Sequence, residues 1–247
     1  MQNIKAMNTS IILLSIVGLM AGMLSSSIGF GGGMLLLPIV TSVYGIEVAV
    51  PVCTIAQLLS NASRAVIGWK SIEWKKTLWF LLPSIPLTAL GAYGFSIAPK
   101  NIMTIIVGFA LILFAIQKLR GKLHFPQHPA TMVVGGCVTG FINGMLSISG
   151  PLSSAVFLTL DLSPVSYIAS EATAATVMHV VKIVVYGKLN LVNEQIIIAG
   201  LGIAAAMIVG NYLAMRFIKN VDKKKYQKVV ASCMILLSLF LIFSTIC

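Results

Sequence analysis

The chain has 247 residues, 58% hydrophobic and 9% charged, with a mean hydropathy of +0.99 and a formal net charge of +11. Soluble domains carry about 25% charged residues, so the composition excludes a water-soluble fold and predicts an all-α polytopic protein of a cell membrane. The basic residues gather in short loops between apolar segments, where cytoplasmic retention accounts for them and no nucleic-acid partner is implied.

The first apolar stretch, 10–45, exceeds a simple crossing. At its centre "SSSIGFGGGMLLLP" (25–38) sets Gly29, Gly31, Gly32 and Gly33 within five residues. Lys5 and the apolar run after it have the look of a secretory signal peptide, but a partner segment at 130–160 marks the stretch as structural. Segments of spanning length follow at 48–68, 77–98 and 101–118, then at 165–187, 194–217 and 226–246. Each is near the roughly 20 residues that cross a ~30 Å hydrocarbon core.

The order of one long segment and three spans occurs twice. A shift of 118 residues places Gly22 on Gly140, Gly32 on Gly150, Ala56 on Ala174, Arg64 on Lys182 and Lys70 on Lys188, and one further residue places Gly91 on Gly210. The chain therefore divides into a first membrane repeat at 1–118, a basic cytoplasmic linker at 119–129 and a second repeat at 130–247. His124 and His128 in the linker receive no role. Cys53, Cys137, Cys233 and Cys247 show no metal-ligand spacing, so no metal or cofactor is expected.

Loop charge sets the orientation. Lys70, Lys75 and Lys76, then Lys118, Arg120 and Lys122, then Arg216, Lys219, Lys223, Lys224, Lys225 and Lys228 mark three cytoplasmic loops. Counting crossings from these loops, 10–45 begins and ends outside, whereas 130–160 begins and ends inside. The two halves are then inverted repeats, each a broken or re-entrant helical hairpin plus three transmembrane helices. Lys5 pulls the other way; with an inside N-terminus, 10–45 would cross once and the symmetry would fail.

A segment that returns to its own side must turn within or near the membrane, and the glycines lie where that turn falls. From Met34 to Gly45 there are 12 residues, about 18 Å as helix, which is short of a crossing. The helix that follows starts near Gly31 to Met34, and its unpaired amides and positive dipole end favour an anion. The second half offers "NGMLSISGPLSS": Asn143, Ser147 and Ser149 supply polar side chains, Gly150 flexibility, and Pro151 suits a first helical turn. With Ser27 beside the first glycines, two facing helix N-termini would make one anion site near the midplane. Close packing of helices through small residues is the competing explanation of the glycines.

"GFGGGMLLLPIV", its weaker counterpart "GFINGMLSISGPL", and a duplicated hydrophobic chain with a basic central loop resemble the TauE/SafE sulfite exporter family of membrane permeases. The resemblance covers nearly the whole chain. It implies a multi-pass permease of a bacterial or archaeal plasma membrane that moves sulfite or small organosulfur or carboxylate anions. The second half departs from the glycine motif, carrying serines and Gly150-Pro151 instead.

Polar residues within spans are costly and frequently functional. Gln57, Asn61 and Arg64 share one helical face, as do Glu171, His179 and Lys182. Arg64 and Lys182 would steer or hold the anion, or else snorkel to a helix end; His179 would carry a proton or pack through a hydrogen bond. Glu171, nearer a helix start, reads equally well as structural. The substrate partner is a small anion with protons as a coupling ion. The chain has no Walker A, H-E-x-x-H or G-x-S-x-G motif, so an ATP-driven pump and these hydrolases lack their chemistry. The reading is a secondary anion exporter and not an enzyme. An uptake permease for another carboxylate or a neutral solute, and an intramembrane enzyme or scaffold using the serines and His179, are the alternatives.

Overall fold

The computed structural model describes residues 2–94, 129–146, 150–218 and 221–246, with isolated positions between 105 and 120. These residues form helices α1 (Gln2–Ile28), α2 (Gly32–Tyr44), α3 (Ile46–Ile67) and α4 (Trp74–Tyr93), with a short 3-10 turn at Trp69–Ser71. After the linker come α5 (Pro129–Leu146), α6 (Gly150–Leu158), α7 (Pro164–Lys188), α8 (Glu194–Ile218) and α9 (Lys223–Ile246). The span expected at 101–118 lies outside the described residues. Among the described residues, Glu47–Ile67, Pro164–Lys188 and Glu194–Ile218 are long and apolar enough to cross a membrane, whereas Leu13–Ile28 and Gly32–Thr41 are shorter apolar helices.

Local chemistry sets the helix ends. Ser163 caps α7, its hydroxyl accepting from Ser166 N at 3.2 Å, and Pro164 follows in the position where a missing N–H costs nothing. Asn193 Oδ1 accepts from Ile196 N at 2.9 Å to start α8, and Asp222 Oδ1 from Lys225 N at 3.0 Å to start α9. Gly45 ends α2 and begins α3 in one residue, at φ 76° and ψ 160°, a region of backbone space open essentially to glycine.

The long segment 10–45 is a helical hairpin. After the break at Gly29–Gly31, α2 turns back along α1, so that Gly32 N donates to Ser25 Oγ at 3.0 Å and Leu14 and Ala21 share a core with Leu36 and Val40. The second hairpin is built alike: α6 returns along α5, and a Cβ placed on Gly135 would meet the Val156 side chain at 2.7 Å. Each hairpin packs on a helix of the other half, α1 on α8 and α5 on α4, while α3 and α7 pack on each other at the centre. Glycines permit the closest of these approaches. A side chain on Gly22 would run into the Met207 carbonyl, and one on Gly140 into the Ser84 carbonyl at 2.5 Å, the small-residue packing typical of membrane helices.

One end of the bundle is basic and aromatic. Ser166 Oγ donates to Ser71 O at 2.6 Å, Glu73 N to Ser170 Oγ at 2.9 Å, and Gln227 Nε2 to Asp161 Oδ1 at 3.0 Å, which ties the 69–76, 161–170 and 222–228 regions together. Trp69 and Trp74 stand exposed there with ring centroids 4.8 Å apart, and Arg216 lies 4.6 Å over the Tyr212 ring. Amphipathic rings beside lysines and arginines are the composition of a membrane–water interface. Between the ends the outer surface is apolar, with Leu82, Leu90 and Ile198 more than half exposed.

Candidate functional site

The break between α1 and α2 opens onto a buried polar cavity. Gly29 and Gly31 adopt φ 90° and 99°, values that L side chains rarely take, and they reverse the chain in three residues. Gly32 has no such φ; space confines it, because a Cβ there would run into the Ser25 hydroxyl that accepts its amide. Leu35 N donates to Gly31 O at 3.0 Å and closes the first α2 turn, so the Gly33 and Met34 amides precede any intrahelical acceptor and head the helix dipole. They border the cavity together with Gln57, Asn61 and Arg64 of α3. Gly150, first residue of α6, enters from the other half, and a Cβ on it would lie 3.0 Å from Phe30 Cβ and 3.5 Å from Gly31 N. The first residue of α6 therefore meets the α1–α2 turn at this point.

Arg64 organises the cavity wall. The residue is 3% exposed. Nη1 donates to the carbonyls of Ser25 and Gly29, both at 2.9 Å, and Nη2 donates to Asn61 Oδ1. Those carbonyls lie at the C-terminal end of α1, where the negative pole of the helix favours a cation, and Ser25 O accepts from Gly29 N at 2.8 Å as well. Glu171 of α7 completes the arrangement: its Oε2 lies 3.7 Å from Arg64 Nη2, and Ser153 of α6 donates to its Oε1 at 2.6 Å. Arg64 Nε, Gln57 Nε2 and Glu171 Oε2 are buried and make no hydrogen bond among the described residues. Donors with spare valence around a buried guanidinium and a helix N-terminus suit a small oxyanion.

The structure thus brings together Gly31, Gly32, Gly33, Gln57, Asn61, Arg64 and Gly150. Gly29 contributes its carbonyl to Arg64 and not its own surface. Ser27 is half-buried, and Ser25, one half-turn earlier, lines the cavity in its place. Ser147 and Ser149 lie outside the described residues. Asn143 and His179 are wholly buried, with their amide and ring nitrogens unbonded, but they stand away from the cavity lining. Lys182 is likewise buried, its Nζ 5.9 Å from the Tyr186 ring centroid. Neither Arg64 nor Lys182 reaches the surface, so the snorkelling that the sequence allows is not the arrangement found.

Sequence reasoning undervalued Glu171 and passed over Ser25, Ser60 and Ser153. The signal for Glu171 was present as a carboxylate inside an apolar span; its partner is apparent only once α3 and α7 are packed.

The sequence profile of the family described as "Sulfite exporter TauE/SafE" matches residues 14–241. The chain is also similar to a probable membrane transporter protein, YunE, of Bacillus subtilis, with 28% identity over 119 residues that cover 44% of each chain. The chain therefore matches less than half the length of that relative. No solved structure matches it.

Proposed function

The chain belongs to the TauE/SafE sulfite exporter family of membrane transporters, and we propose that it is a secondary transporter that exports sulfite or a small organosulfonate. One observation carries the reading: the α2 N-terminus, the first residue of α6 and the buried guanidinium of Arg64 converge on one cavity. The amides at Gly33 and Met34, the Gln57 amide and Arg64 bind the anion between the two broken helices, near the middle of the membrane.

Two inverted repeats supply the means of alternating access. In support, the reciprocal glycine contacts follow the 118-residue shift: a side chain on Gly210 would press on Met23 N at 2.8 Å, and one on Gly91 would run into Phe141, the counterpart of Met23. The basic aromatic end is the cytoplasmic one by charge, which places both termini outside. Rocking of one repeat on the other then exposes the site to each side in turn, with protons as the coupling ion.

Purified protein in liposomes should move at least one of sulfite, methanesulfonate, thiosulfate or a small carboxylate faster than empty vesicles, with the substrate recovered chemically unchanged. If none moves faster, the transporter reading fails for this site; if a substrate is consumed, the protein is an enzyme.

A further inference from the structure

Anion binding alone gives Glu171 no task, and a carboxylate facing an anion site weakens it. The residue is 1% exposed. Ser153 occupies Oε1, whereas Oε2 points at Arg64 from 3.7 Å without a hydrogen bond of its own. The other titratable groups near it are Tyr167, one turn earlier on α7, and Tyr226, from α9, their rings 5.8 Å apart. The ionisable residues of α4 and α8 sit at the helix ends, and α5 brings only Cys137. Arg64 is therefore the one cation facing Glu171 among the described residues.

We propose that Glu171 is the proton carrier of the transport cycle, yielding Arg64 to the substrate by taking one proton on Oε2 for each monovalent anion bound, so that proton and anion cross together and export runs down the anion's own concentration gradient. The proposal rests on the reading of the cavity as an anion site. Its physical basis is charge balance. In the empty site the Arg64 cation and the Glu171 carboxylate sum to zero. An added anion leaves one unbalanced negative charge in a buried place, where uncompensated charge is expensive. Proton uptake restores the sum: Glu171 becomes a neutral acid, its O–H formed from the arriving proton, and the anion takes over Nη2 of Arg64. Empty and loaded carriers are then both neutral at the site, the condition for crossing a low-dielectric layer in either state. A divalent anion leaves the sum at minus one, so the device selects monovalent substrates.

The test uses methanesulfonate, which stays ionised throughout the range, so any pH dependence belongs to the protein. In weakly buffered detergent solution the full-length protein should take up one proton per methanesulfonate bound, read with a pH indicator. Its affinity should rise about tenfold per unit fall in pH within the carboxyl titration range, as linkage requires. Glu171→Gln should bind with an affinity independent of pH and without proton uptake, and in liposomes it should exchange methanesulfonate while losing accumulation driven by a pH gradient. The wild-type proton count needs no variant, and zero protons per anion overturns the proposal. So does a Glu171→Gln protein that keeps the wild-type pH slope; the anion site survives both results. Absence of any anion binding or flux in the wild type overturns the site and the proposal together.

Discussion

Ser26 and Asn211, 185 residues apart, meet in the core, where the Ser26 hydroxyl donates to Asn211 Oδ1 at 2.8 Å. The same asparagine donates through Nδ2 to Ser60 O, Ser60 Oγ and Ser63 Oγ at 2.9, 3.0 and 2.8 Å. One wholly buried side chain thereby fastens α1, α3 and α8 beside the cavity. In an apolar setting such bonds have no water to replace them.

Asn211→Leu should lower the melting temperature in detergent markedly. It strands the buried Ser26 hydroxyl and takes a donor from Ser60, whereas Ser63 keeps its bond to Ser60 O, and each buried group left unpaired costs about 1–3 kcal/mol. Asn211→Asp keeps the acceptor for Ser26 but sets a second acceptor, or a buried charge, against Ser60 O, so it should recover little of that stability. Thermal unfolding followed by tryptophan fluorescence checks both.

Arg64→Gln removes two carbonyl caps and leaves Glu171 as a buried charge without its partner. Breaking a buried pair from one side costs about 3–5 kcal/mol, so this variant should be poorly stable and inactive. Adding Glu171→Gln should recover stability but not transport, because the anion still lacks its cation. Melting temperatures and methanesulfonate flux for the single and double variants separate the two contributions.

Gly33→Ala tests the wall of the cavity. Its Cβ would sit 2.5 Å from Gln57 Oε1 and 2.8 Å from Nε2, the end of a flexible side chain, so the fold should survive while the amide is pushed across the site. We expect apparent affinity to fall at least about tenfold, equivalent to some 1.4 kcal/mol. Gln57→Ala removes a donor to the anion as well as the clash, so adding Gly33→Ala to Gln57→Ala should cost no further affinity, a non-additivity read from flux against concentration.

Sidedness is open to direct labelling. A cysteine placed at Gln2 should react with an impermeant maleimide in intact cells, and one at Gln127 only after permeabilisation. Protection at both positions would give an inside N-terminus and remove the inverted arrangement.

Much of this architecture was readable from the chain because it is written in short-range terms. Spanning segments at 48–68, 77–98, 165–187 and 194–217 correspond to α3, α4, α7 and α8 within a few residues, since membrane helices are set by length and apolarity. The break at Gly29–Gly33 is local too. The shared face of Gln57, Asn61 and Arg64 follows from helical period, and all three line the cavity. What the period does not give is the azimuth of one helix against another. Ser25, Ser26 and Ser27 are consecutive in an apolar helix of weak sidedness, and only packing on α2 and α8 turns Ser25 to the cavity and Ser26 to Asn211. Glu171 and His179 share a face of α7 by spacing, but packing brings the first to Arg64 and leaves both ring nitrogens of the second unbonded among the described residues.

Gly45 joins α2 to α3 with no slack at all, and nothing lies within 4 Å of where its side chain would be. The 13 residues of α2 form an arm about 20 Å long from that pivot to the cavity. A swing of only about 10° would carry the glycine amides sideways by roughly 3.5 Å over that length, more than a hydrogen bond is long. A tilt at Gly45 would therefore move those amides by more than a bond length while the hydrogen bonds within α2 stay whole, and the bond it would have to break is the one from Gly32 N to Ser25 Oγ.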